Sequence, residues 1–276
     1  MYLKIKPQLS QHIISHKLHL IEHNPPYFRK STISSKRRIE KKGFTMIALC
    51  SASVYLVLFT MAYLTAPTTS VEAGDDSRLI AFIENWQPCP TAEQMHQYTH
   101  VLISFAITYR YSSSKNICNS ACNIGSPVPI CNNMNNQALI DTWRAQGKKV
   151  LVSFGGAGMG GSWEGDNNDC WEYCFEKEQH VVDQLVTIVD TQKFDGVDID
   201  YEYFYENKDP YRFSNGAKAR YFVEEVTKRL KNELPSGKNV VTHTPMDTDM
   251  VPTSSYYQIL KNNAAFLDFL MPQYYK

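Results

Sequence analysis

One short segment concentrates acidic side chains at a spacing that suits acid catalysis. It reads Phe194-Asp-Gly-Val-Asp-Ile-Asp-Tyr-Glu202. Side chains alternate across a β-strand, so Asp198, Asp200 and Glu202 share one face and the residues between them share the other. Carboxylates about 7 Å apart and partly desolvated repel one another, so we expect a raised pKa for at least one of them. A carboxyl that stays protonated in a cleft is suited to general acid catalysis.

A metal site is the main alternative reading of such a cluster, and the pattern does not favour it. A calcium loop places a glycine after its first acids, whereas Gly196 precedes these. The apolar Val197 and Ile199 indicate a buried strand rather than a solvated acidic edge. We therefore expect no metal and no organic cofactor here.

The acidic segment is one of six short apolar runs that alternate with amphipathic stretches. The runs span 79–86, 100–107, 149–156, 196–202, 240–246 and 268–275. Each is bounded by polar or turn residues, as expected for strands buried on both faces. Apolar stripes at helical spacing lie around residues 139–143, 181–189 and 219–234. Repeated strand–helix units predict an α/β fold with a parallel sheet.

Two features lie outside this regular alternation. Asp195 has the wrong parity to point inward with the other acids, so we expect it to shape the start of the strand. The long polar segment 108–136 interrupts the rhythm of strands and helices and contains three cysteines. We interpret it as an inserted loop held by disulfides.

Three motifs on the predicted strands resemble those of glycoside hydrolase family 18, the chitinases. Asp195-Gly-Val-Asp198-Ile-Asp200-Tyr-Glu202 resembles the family signature Asp-x-x-Asp-x-Asp-x-Glu. Ser153-Phe-Gly155-Gly156 resembles its Ser-x-Gly-Gly, and Met271-Pro-Gln273-Tyr-Tyr275 resembles its Met/Gln-x-Tyr segment. The resemblance extends from about residue 79 to the C-terminus.

The resemblance implies a TIM (β/α)8-type barrel and a substrate-assisted retaining mechanism. In such a mechanism Glu202 protonates the glycosidic oxygen, and the acetamido oxygen of the sugar attacks the anomeric carbon. Asp200 accepts a hydrogen bond from the acetamido N–H, and Asp198 shares a proton with Asp200. Tyr275 holds the acetamido oxygen in line for attack.

Other residues at the predicted strand ends are candidates for substrate binding. Gln273 belongs to the third motif, and the small residues Ser153 and Gly156 either allow a sugar to approach or are ordinary strand-end residues. Sugar rings stack on aromatic faces, but core packing is an equal alternative for such residues. The aromatic candidates are Trp86, Trp163, Tyr203 and Tyr274.

The resemblance implies chitin or chito-oligosaccharides as substrate, cleaved by an endo-acting chitinase. An endo-β-N-acetylglucosaminidase on N-linked glycans shares the same acids, and a chitin-binding lectin shares the fold. Only six strands are predicted, and residues 74–276 number 203 where an eight-unit barrel has about 250. We therefore expect a catalytic domain over 74–276 that is truncated after its sixth strand.

The N-terminal part of the chain differs in charge from the rest. Residues 1–45 hold ten Lys and Arg against two acids, so residues 46–276 hold eighteen against twenty-six. An acidic folded part argues against a nucleic-acid partner. The uncharged stretch within 46–73 follows a basic flank, which predicts a cleaved secretion signal, with a retained membrane anchor as the alternative. Either way the folded part is exported, and any membrane contact is through this segment.

The cysteine count agrees with export. Six cysteines follow the uncharged stretch, an even number typical of disulfides, with fifteen alternative pairings. Zinc is the weaker alternative for the two Cys-x₃-Cys pairs, because structural zinc sites are less common in oxidising compartments. The six are Cys89, Cys118, Cys122, Cys131, Cys170 and Cys174.

Overall fold

The computed structural model of the chain describes residues 77–161, 168–203 and 216–274. Its strands are β1 (Ile80–Glu84), β2 (His100–Ala106), β3 (Tyr109–Arg110), β4 (Ile117–Cys118), β5 (Lys149–Gly155), β6 (Gly196–Asp200), β7 (Val240–His243) and β8 (Phe269–Leu270). Six of them form one parallel sheet in the order β1-β2-β5-β6-β7-β8. All six predicted strands are present, which confirms the α/β prediction.

Several strands end before the apolar runs that predicted them. After β7, Pro245 has no N–H to donate to a neighbouring strand, and Pro272 has the same effect after β8. The chain therefore leaves the ladder early on both strands. The residues beyond the strand ends, among them Thr244 and Gln273, form the rim of the sheet.

Among the described residues, five α-helices accompany the sheet: α1 (Ala92–Met95), α2 (Gln137–Ala145), α3 (Glu178–Thr191), α4 (Gly216–Glu233) and α5 (Ser255–Asn262). The three predicted amphipathic stretches correspond to α2, α3 and α4. Gly147 follows the C-cap of α2 with φ +79°, a backbone conformation that glycine adopts without strain. Helices α3 and α4 pack against each other, and α5 packs against α4.

The two faces of the sheet carry different cores. Valine and isoleucine side chains on one face, such as Val152, Val197 and Ile199, join the apolar stripes of the helices in the main core. The other face carries a smaller apolar cluster of Ile80, Leu102, Leu151 and Met271. Three strands separate β2 from β8, yet the rings of His100 and Phe269 lie 5.4 Å apart. The sheet is therefore strongly curved, as a half-barrel.

The segment 108–136 is held as predicted by disulfides, and the structure decides their pairing. Cys118 pairs with Cys170 and Cys122 with Cys174, so the segment is bound to the stretch that precedes α3. Cys89 pairs with Cys131, which joins the turn after β1 to the end of the segment. The segment also contains the short β3–β4 hairpin, which the sequence did not predict.

The predictions for residues 1–45 and 46–73, the basic segment and the secretion signal or anchor, lie outside the described residues, so the domain boundary at residue 74 stays a prediction. Within the residues that the structure describes, no helix is both long and apolar enough to cross a membrane.

Candidate active site

The three acids of the central motif lie on the inner face of the sheet, toward the carboxyl ends of the strands. Asp198 and Asp200 belong to β6, Glu202 follows two residues later, and all three are buried. Their neighbours Ile199 and Tyr201 belong to the main core on the opposite face. The structure thus confirms the predicted alternation of acids and apolar residues.

Asp198 is enclosed by hydroxyl groups from the strands on either side of it. Ser153 donates to Asp198 Oδ2 at 2.6 Å, and Thr242 donates to Oδ1 at 2.7 Å. Thr244 donates to both oxygens, at 3.1 Å each. Ser153 and Thr242 are the register partners of Asp198 on β5 and β7, so the parallel pairing itself brings them to the carboxylate.

The pKa of Asp198 is raised to about 6 by burial. The hydroxyls of Ser153, Thr242 and Thr244 oppose this shift, because they stabilise the ionised form. The sequence predicts a raised pKa for an acid of this cluster, with repulsion between neighbouring carboxylates as the main cause. The structure corrects that cause: the pKa of Asp198 is raised by its removal from water. The acid concerned, Asp198, is the most deeply buried of the three.

Gln273 lies directly over the other two acids. Its amide nitrogen donates to Asp200 Oδ1 at 2.9 Å and to Glu202 Oε1 at 3.1 Å, and it also contacts the Thr244 carbonyl oxygen at 3.1 Å. A backbone hydrogen bond of 2.8 Å from Gln273 to Pro245 fixes its position at the rim. In this structure the residue predicted to bind substrate therefore orients the two upper carboxylates.

The structure gives local reasons for the small residues of the second motif. Ser153 is a partner of Asp198, and Gly156 has φ +80°, where a side chain is strained. A Cβ on Gly156 would lie 2.9 Å from the Phe105 ring. The backbone N–H of Gly156 donates to the Asp200 carbonyl oxygen at 2.8 Å. Contact between Gly156 and a sugar stays a prediction.

The aromatic candidates divide by exposure. Trp86, just beyond β1, is 46% exposed and Tyr274 is 71% exposed, so both rings are open to a ligand. Tyr203 is 1% exposed, and its hydroxyl donates to Glu172 at 2.8 Å while its ring packs against Phe175. The substrate-binding role expected for Tyr203 is therefore corrected in favour of core packing. Trp163 and Tyr275 lie outside the described residues.

Two further residues support the acidic strand from behind. The Asp195 carboxylate accepts a hydrogen bond from the Val150 backbone N–H at 2.9 Å and forms an ion pair with Arg144 at 3.2 Å. These contacts agree with the structural role expected for Asp195. Trp171 is fully buried against Phe154 and Tyr201, beneath the ends of β5 and β6. No sequence pattern indicates this role for Trp171, because the segment that carries it is not periodic.

Thr242 and Thr244 were also missed. The alternation of the strand could have indicated them, since Thr242 and Thr244 lie two residues apart and so point to the same face of the sheet as Asp198 and Asp200 do. Alternating small polar residues at strand positions next to a buried acid indicate hydrogen-bond donors.

One group of potential metal ligands lies close together among the described residues. It consists of Cys118, Asp169 and Cys170. The two sulfur atoms are bonded to each other in a disulfide, so neither is a thiolate that could bind zinc.

Comparisons with known proteins place this site in a family. The family model "Glycosyl hydrolases family 18" matches residues 78–275. No curated protein matches the chain. A family 18 chitinase from Pseudoalteromonas aurantia is similar in structure, with a TM-score of 0.56 and 22% identity over 72% of this chain and 68% of that one. A chitinase from Rhizomucor miehei has a TM-score of 0.49 and 18% identity over 72% of this chain and 57% of that one.

The likeness to the Pseudoalteromonas aurantia structure supports the fold, and the family match covers every described strand and the three acids. The chain therefore belongs to family 18 of the glycosyl hydrolases.

Proposed function

We propose that the chain is an exported, endo-acting chitinase that hydrolyses β-1,4 bonds between N-acetylglucosamine units by a substrate-assisted retaining mechanism. The observation that carries this proposal is the arrangement of Glu202 and Asp200 under one amide. Gln273 holds a carboxylate oxygen of each at 2.9 to 3.1 Å, just beyond the carboxyl ends of the strands. Family membership supplies the reaction class.

The proposed first step breaks the glycosidic bond. Protonated Glu202 gives its proton to the glycosidic oxygen, so that the leaving sugar departs as an alcohol. The acetamido oxygen of the sugar that stays attacks the anomeric carbon and forms a cyclic oxazolinium ion. In the second step Glu202, now a carboxylate, accepts a proton from water as the water opens that ring, which restores both the acetamido group and the acid.

Asp200 is the proposed electrostatic partner of the reacting acetamido group. Positive charge develops on the ring nitrogen as the oxazolinium ion forms, and a carboxylate placed beside that nitrogen offsets it. Tyr275, Gly156 and Trp86 remain proposed substrate contacts: Tyr275 for the acetamido oxygen, Gly156 for close approach of the sugar, and Trp86 for ring stacking.

Replacing Glu202 tests the proposed acid. In the full chain Glu202→Gln keeps the size of the side chain and its hydrogen bonding but has no carboxylic proton to donate. We expect turnover of chito-oligosaccharides to fall about 10²–10⁴-fold while binding is retained. The exposed Glu93→Gln on α1 is the matched control and should leave turnover unchanged. Wild-type turnover by Glu202→Gln would contradict the assignment.

The choice of substrate separates the proposal from its alternatives. Release of intermediate-length products from chitin oligomers supports an endo-acting chitinase. Turnover of a high-mannose glycopeptide but not of chitin oligomers indicates an endo-β-N-acetylglucosaminidase. Binding of chitin without any hydrolysis indicates a lectin.

The acetyl group of the substrate tests the mechanism itself. We compare oligomers that carry an acetamido group or a free amine on the sugar just before the cleaved bond. An amine cannot form the oxazolinium ion, so we expect turnover only of the acetylated oligomer. Asp200→Asn should lose turnover of the acetylated oligomer, because an amide does not offset positive charge as a carboxylate does. Equal rates on both oligomers would overturn the mechanism and leave the reaction class intact.

Export is part of the proposal and has its own support. The described part of the chain has three disulfides. Disulfides persist in oxidising compartments and are rare in reducing ones. N-terminal sequencing of the protein recovered from the medium of expressing cells tests this: a start just after Ala73 indicates a cleaved signal. Recovery in the membrane fraction with residues 46–73 intact indicates an anchor, and retention in the cytosol contradicts export.

A further inference from the structure

The surroundings of Asp198 contain three hydroxyl donors for one carboxyl group. Each hydroxyl has a single proton, and all three hydroxyls lie within 2.6 to 3.1 Å of the Asp198 oxygens. Ser153 and Thr242 are fully buried with Asp198, and Thr244 is 4% exposed, so water has little access to the group. Three donors that converge on a dry carboxyl match the ionised form, which only accepts hydrogen bonds.

Thr244 also connects this lower layer to the upper acids. Its hydroxyl contacts both oxygens of Asp198, while its carbonyl oxygen lies 3.1 Å from the Gln273 amide. That amide in turn donates to Asp200 and Glu202. One residue of the β7 rim therefore touches both the buried carboxylate and the side chain that orients the upper carboxylates.

We propose that Thr242 and Thr244 are positioning residues that, together with Ser153, hold Asp198 as a fixed carboxylate through three converging hydroxyl protons. A proton that arrived on Asp198 would require one hydroxyl to turn away, and that hydroxyl would lose its acceptor in a buried place. The three donors therefore keep the pKa of Asp198 below the value that burial alone would give it. Only the consequence for turnover rests on the proposed function.

The charged groups that face Asp198 are few among the described residues. Asp200 follows on its own strand and Glu202 lies just beyond the end of that strand, while Glu84 lies in the same register row on β1. The flanking strands β5 and β7 present the hydroxyls of Ser153, Thr242 and Thr244, and the rim beyond β8 presents the Gln273 amide. His243 points to the opposite face, toward α4 and α5. The hydroxyls are thus the groups that stabilise the ionised form of Asp198 relative to its protonated form.

Thr242→Val and Thr244→Val test the proposal separately, because valine keeps the branched shape but donates no proton. The full chain is labelled with ¹³C at the aspartate carboxyl carbons, and Asp198→Asn identifies the Asp198 signal. A hydrogen bond to a charged group contributes enough that we expect its loss to raise the proton affinity of Asp198 about tenfold in each variant. The pKa of Asp198, about 6 in the native chain, should therefore move upward.

Two controls separate a donor effect from a packing effect. Thr244→Ser keeps the hydroxyl and should retain the native titration of Asp198. Thr227→Val removes another buried threonine hydroxyl, bonded to His243 at 2.9 Å on the opposite face of the sheet, and should leave that titration unchanged. A purely structural role predicts that the variants lose stability while the Asp198 titration stays where it is.

Turnover gives a second readout and distinguishes the two proposals. If the chain hydrolyses chito-oligosaccharides, the acidic limb of its kcat/KM profile should move toward neutral pH in both Thr→Val variants and not in Thr244→Ser. A shifted titration in a chain without turnover supports the role of the hydroxyls and contradicts the proposed function. An unshifted Asp198 titration in either folded Thr→Val variant overturns the role assigned to that hydroxyl.

Discussion

At the scale of single residues, Asp198 combines deep burial with dense hydrogen bonding. Burial raises its pKa to about 6 from an ordinary value of 3.8, although three hydroxyls favour the ionised form. Between these two pH values the folded chain binds a proton that the unfolded chain has released. Asp198 therefore stabilises the fold fully below about pH 4, and this contribution is lost as the pH rises through about 6.

Asp198→Asn should remove this pH dependence. We expect the free energy of unfolding of the native chain, relative to the variant, to fall by about 2 kcal/mol between pH 4 and pH 7. Denaturant unfolding of both proteins at a series of pH values measures it. Other titrating groups, His243 among them, are present in both chains and cancel in the difference. Parallel pH profiles for the two proteins would contradict the raised pKa.

At the scale of secondary structure elements, a buried histidine joins β7 to two helices. His243 is fully buried, with Nε2 at 2.9 Å from the Thr227 hydroxyl of α4 and Nδ1 at 2.8 Å from the Tyr256 hydroxyl of α5. Thr227 gives its own proton to the Val223 carbonyl oxygen at 2.6 Å, so Nε2 must be the donor and Nδ1 the acceptor. The neutral ring is thereby held in one tautomer, which fixes both helices against the sheet.

Burial lowers the pKa of His243 to about 3 from 6.5. The unfolded chain thus takes up a proton in a range where the folded chain does not. The neutral ring contributes its full stability above about pH 6.5, and that contribution is lost as the pH falls toward 3. The contribution of His243 to stability increases with pH, whereas that of Asp198 decreases. Each contribution is therefore measured by comparing the native chain with a variant that lacks the group.

Tyr256→Phe should weaken the attachment of α5. The substitution leaves Nδ1 of His243 buried without its donor, and we expect a loss of about 1–3 kcal/mol in the free energy of unfolding at pH 7. Tyr257→Phe, on the same helix but only half-buried, is the matched control and should change stability by no more than about 0.5 kcal/mol. Equal effects of the two substitutions would show that the hydrogen bond to His243 contributes nothing specific.

At the scale of the whole molecule, the disulfides link parts of the chain that the sheet does not join directly. Cys122–Cys174 and Cys118–Cys170 each span 52 residues and bind the segment 108–136 to the stretch that contains Trp171. Trp171 packs against Tyr201, the outward neighbour of Asp200 and Glu202. The covalent links therefore support the acidic strand through its buried aromatic backing.

The double substitution Cys122→Ala, Cys174→Ala should destabilise the fold. Closing a loop of this length in the unfolded chain corresponds to about 4 kcal/mol, and we expect a loss of roughly that size in denaturant unfolding at neutral pH. The native chain in a reductant should lose at least as much. A reductant should lower the stability of the double variant less than that of the native chain. No difference between variant and native chain under oxidising conditions would contradict a stabilising role.

The sequence by itself determined the features that depend on local periodicity. Alternation in the 194–202 segment placed Asp198, Asp200 and Glu202 on one face, because the side chains of a strand alternate whatever the strand packs against. The same logic predicted the six strands, the three long helices and the structural role of Asp195. The three motifs were sufficient to predict the family.

Only the tertiary structure decided which distant residues meet. Thr242 and Thr244 reach Asp198 through the register of β6 with β7, and Gln273 reaches Glu202 across 71 residues of sequence. The disulfide pairing and the burial of Tyr203 likewise depend on segments brought together by folding. The pKa of Asp198 belongs with them, because desolvation depends on everything packed around a group, whereas periodicity records only which way its side chain points.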